Sequence, residues 1–147
     1  MNLKDIVAVS GKSGLFKIIK PTRTGLIVES LDDKKEKLII ANTNKISILK
    51  EISVYVNTAE DAILLRDVFL NIYHKYRYDV DVDTNVNVEL TSFMADILPN
   101  YDRSRVYLSD IKKIINWYKL IVKYAPEVLQ EEILEKENAE KVKETTK

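Results

Sequence analysis

The chain has 147 residues, of which 46% are hydrophobic and 31% charged, and its 23 basic and 23 acidic side chains cancel to zero net charge. Such a composition excludes a disordered polypeptide, and the neutral balance argues against the dense basic footprint of a dedicated nucleic-acid domain. Cysteine is absent, which rules out disulfides and thiolate metal sites and makes the reducing cytoplasm the expected compartment.

Asn2, Leu3, Ile6 and Val7 open the chain as a capped helical turn, with Asn2 as N-cap and the apolar residues at i, i+3 and i+4. Four short segments rich in β-branched residues follow: 15–19, 25–30, 37–41 and 52–56. Turns at 21–24, 32–36 and 42–44 connect them, and Ile46, Ile48 and Leu49 read as one tight helical turn. All three glycines, Gly11, Gly14 and Gly25, lie in this front part. Glycine permits tight bends and close strand approach, so its confinement marks a bend-rich β region followed by a helical one. Strands this short and numerous predict a small SH3-like β-barrel over residues 1–57, because closure hides sheet edges.

From Thr58 the apolar period becomes helical. Leu65, Val68, Phe69, Ile72, Tyr73 and Tyr76 share one face of a helix expected to start at Thr58. The alternation in residues 79–88 fits either an edge strand or an extended linker with buried valines. A second helix is expected from about Val88 to Leu98, ended by Pro99, and a third from an N-cap at Ser109 to a limit at Pro126. The fold class is therefore α+β: the small barrel, a mainly helical domain over 58–126, and a charged tail over 127–147 expected to be a frayed helix or disordered. Neither an early acid at Asp5 nor the short apolar runs suit a signal peptide or a membrane span, so no export and no membrane association are expected.

Two blocks carry a family likeness. The first runs from Met1 to Lys17, with Ser10-Gly11-Lys12-Ser13-Gly14 at its centre, and continues through Thr22-Arg23-Thr24-Gly25-Leu26 to Leu31. The second is Leu98-Pro99-Asn100-Tyr101-Asp102-Arg103-Ser104-Arg105-Val106-Tyr107, followed by Ser109-Asp110-Ile111-Lys112-Lys113-Ile114 and Trp117-Tyr118. Together they resemble an uncharacterised protein family common in Bacteroidota. That resemblance implies a small barrel joined to a helical domain, and no activity to carry onto any residue.

Candidate chemistry is sparse. Gly11-Lys12-Ser13 suggests a phosphate loop, but Ile6 stands where that motif needs its first glycine, so a turn is the better reading. His74 is the only histidine and has no second imidazole or cysteine to complete a metal or nucleophile set. Asp79, Asp81 and Asp83 have the spacing of a calcium loop, yet Thr84 and Leu90 replace its glycine and bidentate glutamate. No cofactor and no metal are expected, and no set of acid, base and nucleophile marks an enzyme.

The segment 101–107 places two guanidiniums between two phenols. Such a cluster binds phosphate or bases, forms a protein hot spot, or ties its own loop to the third helix through Asp102 or Asp110. Residues 1–58 carry a net charge of +4, counted as ten Lys/Arg against six Asp/Glu, and residues 125–147 a net −3. Seven of the eight tyrosines lie beyond residue 58. The leading expectation is a non-enzymatic cytoplasmic interaction or scaffold protein with a protein partner or self-association. The alternative is a nucleic-acid-associated module using Lys12, Lys17, Lys20 and Arg23 on the barrel, extended by Arg103, Arg105, Lys112 and Lys113.

Overall fold

The computed structural model describes residues 1–145; the last two residues of the charged tail lie outside that range. A 3-10 turn, Leu3–Asp5, opens the chain. Asn2 caps it as the sequence indicates: its Oδ1 accepts the Lys4 N–H at 2.9 Å, and the Asp5 carboxylate accepts the Asn2 N–H at 2.8 Å. Five strands follow, β1 (Ile6–Val9), β2 (Phe16–Pro21), β3 (Gly25–Ser30), β4 (Lys37–Ala41) and β5 (Ile46–Ile48). They form one antiparallel sheet in the order β4-β3-β2-β1-β5. The α+β class is as expected, with the sheet first and the helices after it.

The sheet curls strongly without closing. Its edge strands β4 and β5 are joined by only Asn42–Lys45, and the Asn44 N–H folds back onto the Ala41 carbonyl at 3.0 Å. A flat five-stranded sheet would hold its edges about 19 Å apart, whereas a connection with one reverse turn reaches about 14 Å. Curling resolves the mismatch, helped by a register shift in β2 between Ile18 and Lys20. Val7, Val9, Phe16, Val28 and Ile40 fill the concave side. No ladder joins β4 to β5, so the expected closed barrel is corrected to an open, curled sheet. Gly25 leaves room for the β4 backbone, since a Cβ there would lie 1.9 Å from the Ile40 carbonyl oxygen.

Two further readings change. β1 is a strand where a helical turn was expected, because both its faces are buried: Ile6 and Ala8 point into the main core, Val7 and Val9 under the sheet. A doubly buried strand shows a continuous apolar run, which spacing alone does not separate from a helix. Residues 46–48 are likewise β5, paired with β1, before a 3-10 turn at Leu49–Glu51.

The strand expected to complete the barrel instead starts a second sheet, β6 (Ser53–Tyr55) paired with β7 (Ala62–Leu64). The helix expected from Thr58 therefore begins later, as α1 (Leu65–Tyr76). Residues 79–86 form no ladder: Val80 is buried, and a turn at 84–85, closed by the Val86 N–H on the Asp83 carbonyl at 3.1 Å, leads into the next helix. Next come α2 (Asn87–Ile97), α3 (Leu108–Tyr124) and α4 (Pro126–Thr145). Ser109 is not the cap of α3; the Asp110 carboxylate accepts the Tyr107 N–H at 2.9 Å instead. Among the described residues, no helix is long and apolar enough to cross a membrane.

One large core crosses the whole chain. Leu3, Ile6, Leu15, Leu31 and Leu49 from the front join Val68, Ile72, Met94, Ile115 and Ile121 from the helices. α4 belongs to it through Val128, Leu129 and Ile133. Glu132 lies among them, 3% exposed, with Lys50 Nζ at 2.6 Å and Arg66 Nε at 2.8 Å. A buried carboxylate is tolerable only when so compensated, and here the compensation pins α4 to both α1 and the turn after β5.

If α4 docks in this way, Leu129→Ala, which empties a site 2% exposed, will lower the free energy of denaturant unfolding by about 3 kcal/mol. Leu134→Ala, at a side chain 54% exposed, will change it by less than about 0.5 kcal/mol. Equal effects would mean that the helix does not pack here.

Candidate functional site

Between the curled sheet and α3 lies a groove built from two adjoining clefts. Its first part, about 510 Å³, is bounded by the loop after β1, by Lys45 and Ser47 of the β4–β5 turn and β5, and by Lys113, Asn116 and Trp117 of α3. The loop folds on glycines at positive φ, Gly11 at 84° and Gly14 at 82°. Two backbone bonds hold it: Lys12 N–H to the Val9 carbonyl at 3.0 Å, and Ser10 N–H to the Lys45 carbonyl at 2.9 Å. The second bond brings two sequence-distant lysines to one place. Lys12, Lys45 and Lys113 all line the cleft, and none is ion-paired among the described residues.

The second part, about 220 Å³, shares Ile52, Lys113 and Trp117 with the first and continues along β6 over Val54, Val106 and Ile114. Asp110, Lys113, Ile114 and Trp117 follow the i, i+3, i+4, i+7 spacing, so a single face of α3 forms one wall throughout. One end of the groove is cationic and the other largely apolar.

A charged knot closes the apolar end. Arg105 donates from Nε to Asp102 Oδ2 at 2.6 Å and from an Nη to Asp61 Oδ1 at 2.7 Å, and its guanidinium lies 4.3 Å from the Tyr55 ring centroid. Asp102 also accepts the Ser104 N–H at 2.9 Å and the Ser104 hydroxyl at 2.6 Å. The Ser104 hydrogen bonds and then Arg105 hold the Asp102 carboxyl down at about 2. Arg105 lowers the Asp61 carboxyl as well, and the two acids raise the guanidinium in return. Asp61 itself sits at φ 63° in the β6–β7 turn, so the knot ties that hairpin to the start of α3.

Residues 3–49 match a domain of unknown function (DUF5606), and residues 52–121 match a second (DUF6852). A solution NMR structure from Bacteroides vulgatus, a structural-genomics target, is 34% identical, with a TM-score of 0.65 over 82% of this chain and 85% of that one. The chain belongs to this uncharacterised Bacteroidota family. No curated protein matches it. Lys12 and Lys45 lie in the first matched region, Lys113 and Trp117 in the second, so both regions contribute to the groove.

Of the residues singled out in the sequence, Lys12 and Lys113 meet in the cationic cleft. Lys17 is half-buried on β2, opposite Ile6 and Glu29. Lys20 is exposed near the far end of that strand, and Arg23 in the turn beyond it. The six-residue strand β2 separates Arg23 from Lys12, a distance of about 20 Å. Arg103 is exposed and stacks 4.5 Å from the Tyr101 ring centroid, while Lys112 lies outside both clefts. Arg105 reaches the groove, but its donors are committed to the knot. Sequence reasoning passed over Lys45, whose turn position gave no sign of its neighbours, and met Trp117 as part of the second family block. The Trp117 side chain is half-buried, packing against the core and lining the groove.

The knot makes a pH prediction. A carboxyl held near 2 in the fold and near 3.9 when unfolded stabilises the fold fully above about pH 4. That contribution is lost as pH falls toward the folded value. Asp102→Asn will therefore be less stable than the parent near neutral pH, and its unfolding midpoint will depend less on pH between about 4 and 2. Parallel pH profiles for the two proteins would show that Asp102 is not held in this way.

Proposed function

We propose that the protein is a non-enzymatic interaction module that seats a protein partner in the groove between the curled sheet and α3. The observation that carries this reading is the groove's composition: apolar walls beside an aromatic ring, flanked by three lysines that form no ion pair among the described residues. Apolar centres with an aromatic anchor and a polar rim are the usual anatomy of protein contact sites. Cations left unpaired in a concavity also favour an acidic partner there over water.

Nucleic acid is the second reading, favoured by the same lysines. It is weaker because a phosphate track needs charges in series. Lys20 and Arg23 stand at the other end of β2.

A photo-crosslinking amino acid placed at Lys113 and, separately, at Arg23 tests the assignment in cells of a Bacteroides host. We expect protein adducts at position 113, stable to nuclease, and none at 23. Nuclease-sensitive adducts at 113 would shift the assignment to nucleic acid. Absence of adducts at 113, or equal labelling at both positions, would remove the groove as the functional site.

A further inference from the structure

Along the apolar part of the groove, β6 presents backbone groups that nothing among the described residues satisfies. Ile52 C=O accepts the Leu65 N–H at 2.8 Å, and Val56 N–H donates to the Asp61 carbonyl at 2.9 Å. Residues at alternate positions of an antiparallel strand bond to the same side, so 52, 54 and 56 face β7, while Ser53 and Tyr55 face away from it. On that outer side the chain begins a third strand and abandons it. Asp102 N–H donates to the Tyr55 carbonyl at 3.0 Å, Asn57 N–H to the Asn100 carbonyl at 2.8 Å, and Val56 bridges Tyr101. Past Asp102 the backbone turns off toward α3. The Ser53 N–H, the Ser53 C=O and the Tyr55 N–H have no partner among the described residues, on the wall of the 220 Å³ cleft.

Exposed strand edges are ordinarily guarded by a lysine, a proline or a covering loop, and Ser53-Val54-Tyr55 has none of these over its open part. The edge faces the side chains of Val106, Ile114 and Trp117, and at its Ile52 end it opens toward Lys12, Lys45 and Lys113. Main-chain pairing supplies affinity without sequence choice, a neighbouring pocket selects an apolar side chain, and cations at one end select acids.

We propose that the groove binds an extended acidic peptide segment of its partner by adding it as a strand to β6. The segment places one apolar side chain against Ile114 and Trp117 and its Asp or Glu residues beside Lys12, Lys45 and Lys113. This rests on the protein-partner reading given above and specifies the partner's chemistry.

The test selects binders to the full-length protein from a randomised octapeptide library, then methylates single backbone nitrogens of the best peptide. Strand addition predicts enrichment of Asp and Glu around an apolar position. It also predicts that N-methylation weakens binding at every second residue and spares those between, because only alternate amides face β6. Lys45→Glu and Lys113→Glu, each checked for folding by circular dichroism, should each weaken the peptide about tenfold. Basic or neutral consensus peptides, or N-methyl sensitivity without a two-residue period, would overturn the proposal. Either result leaves the protein-partner reading to stand or fall on the crosslinking at Lys113, since nuclease-resistant adducts there do not depend on strand pairing.

Discussion

The strand β1 is the constraint on which the remainder depends. Four residues, Ile6-Val7-Ala8-Val9, serve two cores at once, alternating between the helical side and the hollow of the curled sheet. Burial of both faces leaves the strand no freedom to slide, because a one-residue slip would exchange the two sets of side chains. Its register with β5, Val9 opposite Ile46, in turn fixes the loop at Ser10–Gly14 beside Lys45 and against α3. The groove is thus a consequence of the packing of its own wall, since Ala8 and Val9 of β1 line the first cleft. Leu3 and Leu49 on either side of the strand extend the same layer into the helices.

Charge is handled in two ways in the molecule. Glu132 and Asp102, the two buried acids among the described residues, are each met by cations: Lys50 and Arg66 from distant parts of the chain for the first, and Arg105, three residues on, for the second. Such pairs contribute modest net stability, but leaving either acid without its partner would be costly, so they fix geometry more than they add free energy. The lysines of the groove show the opposite arrangement. Lys12, Lys45 and Lys113 line one cleft with no ion pair among the described residues, and their mutual repulsion is tolerable because the cleft is open to water. A fold that compensates its interior acids and leaves three surface cations uncompensated in one concavity directs its electrostatic field there.

How far the sequence could be read follows from what each element needs from its neighbours. The helix α2 was legible through Leu90, Phe93, Met94 and Ile97 and the stop at Pro99, all local signals. β3 and β4 were found with their observed limits, since turn residues bound them. β7 was missed because Ala62-Ile63-Leu64 runs straight into α1, and because its turn uses Asp61 at positive φ where a glycine would have announced a bend. The buried stripe of α4 is hidden by Glu132, a charged residue at an inward position. The site follows the same pattern. Lys12 and Lys113 stood out individually, but their meeting with Lys45 requires β5 to pair with β1 across more than thirty residues, a long-range event that no local spacing encodes. The open edge of β6 was invisible for the same reason: it exists only because β6 left the first sheet for the second.

The shared core is tested most directly by native-state hydrogen exchange, comparing the amides of Val7 and Val28 in the sheet with those of Ile115 and Tyr118 in α3. If β1 joins the two parts as described, all four will exchange only through one global opening and respond alike to added denaturant. Exchange of the sheet amides through a separate opening of lower free energy, with α3 still protected, would show that the two parts unfold independently and that the groove between them is not a fixed feature.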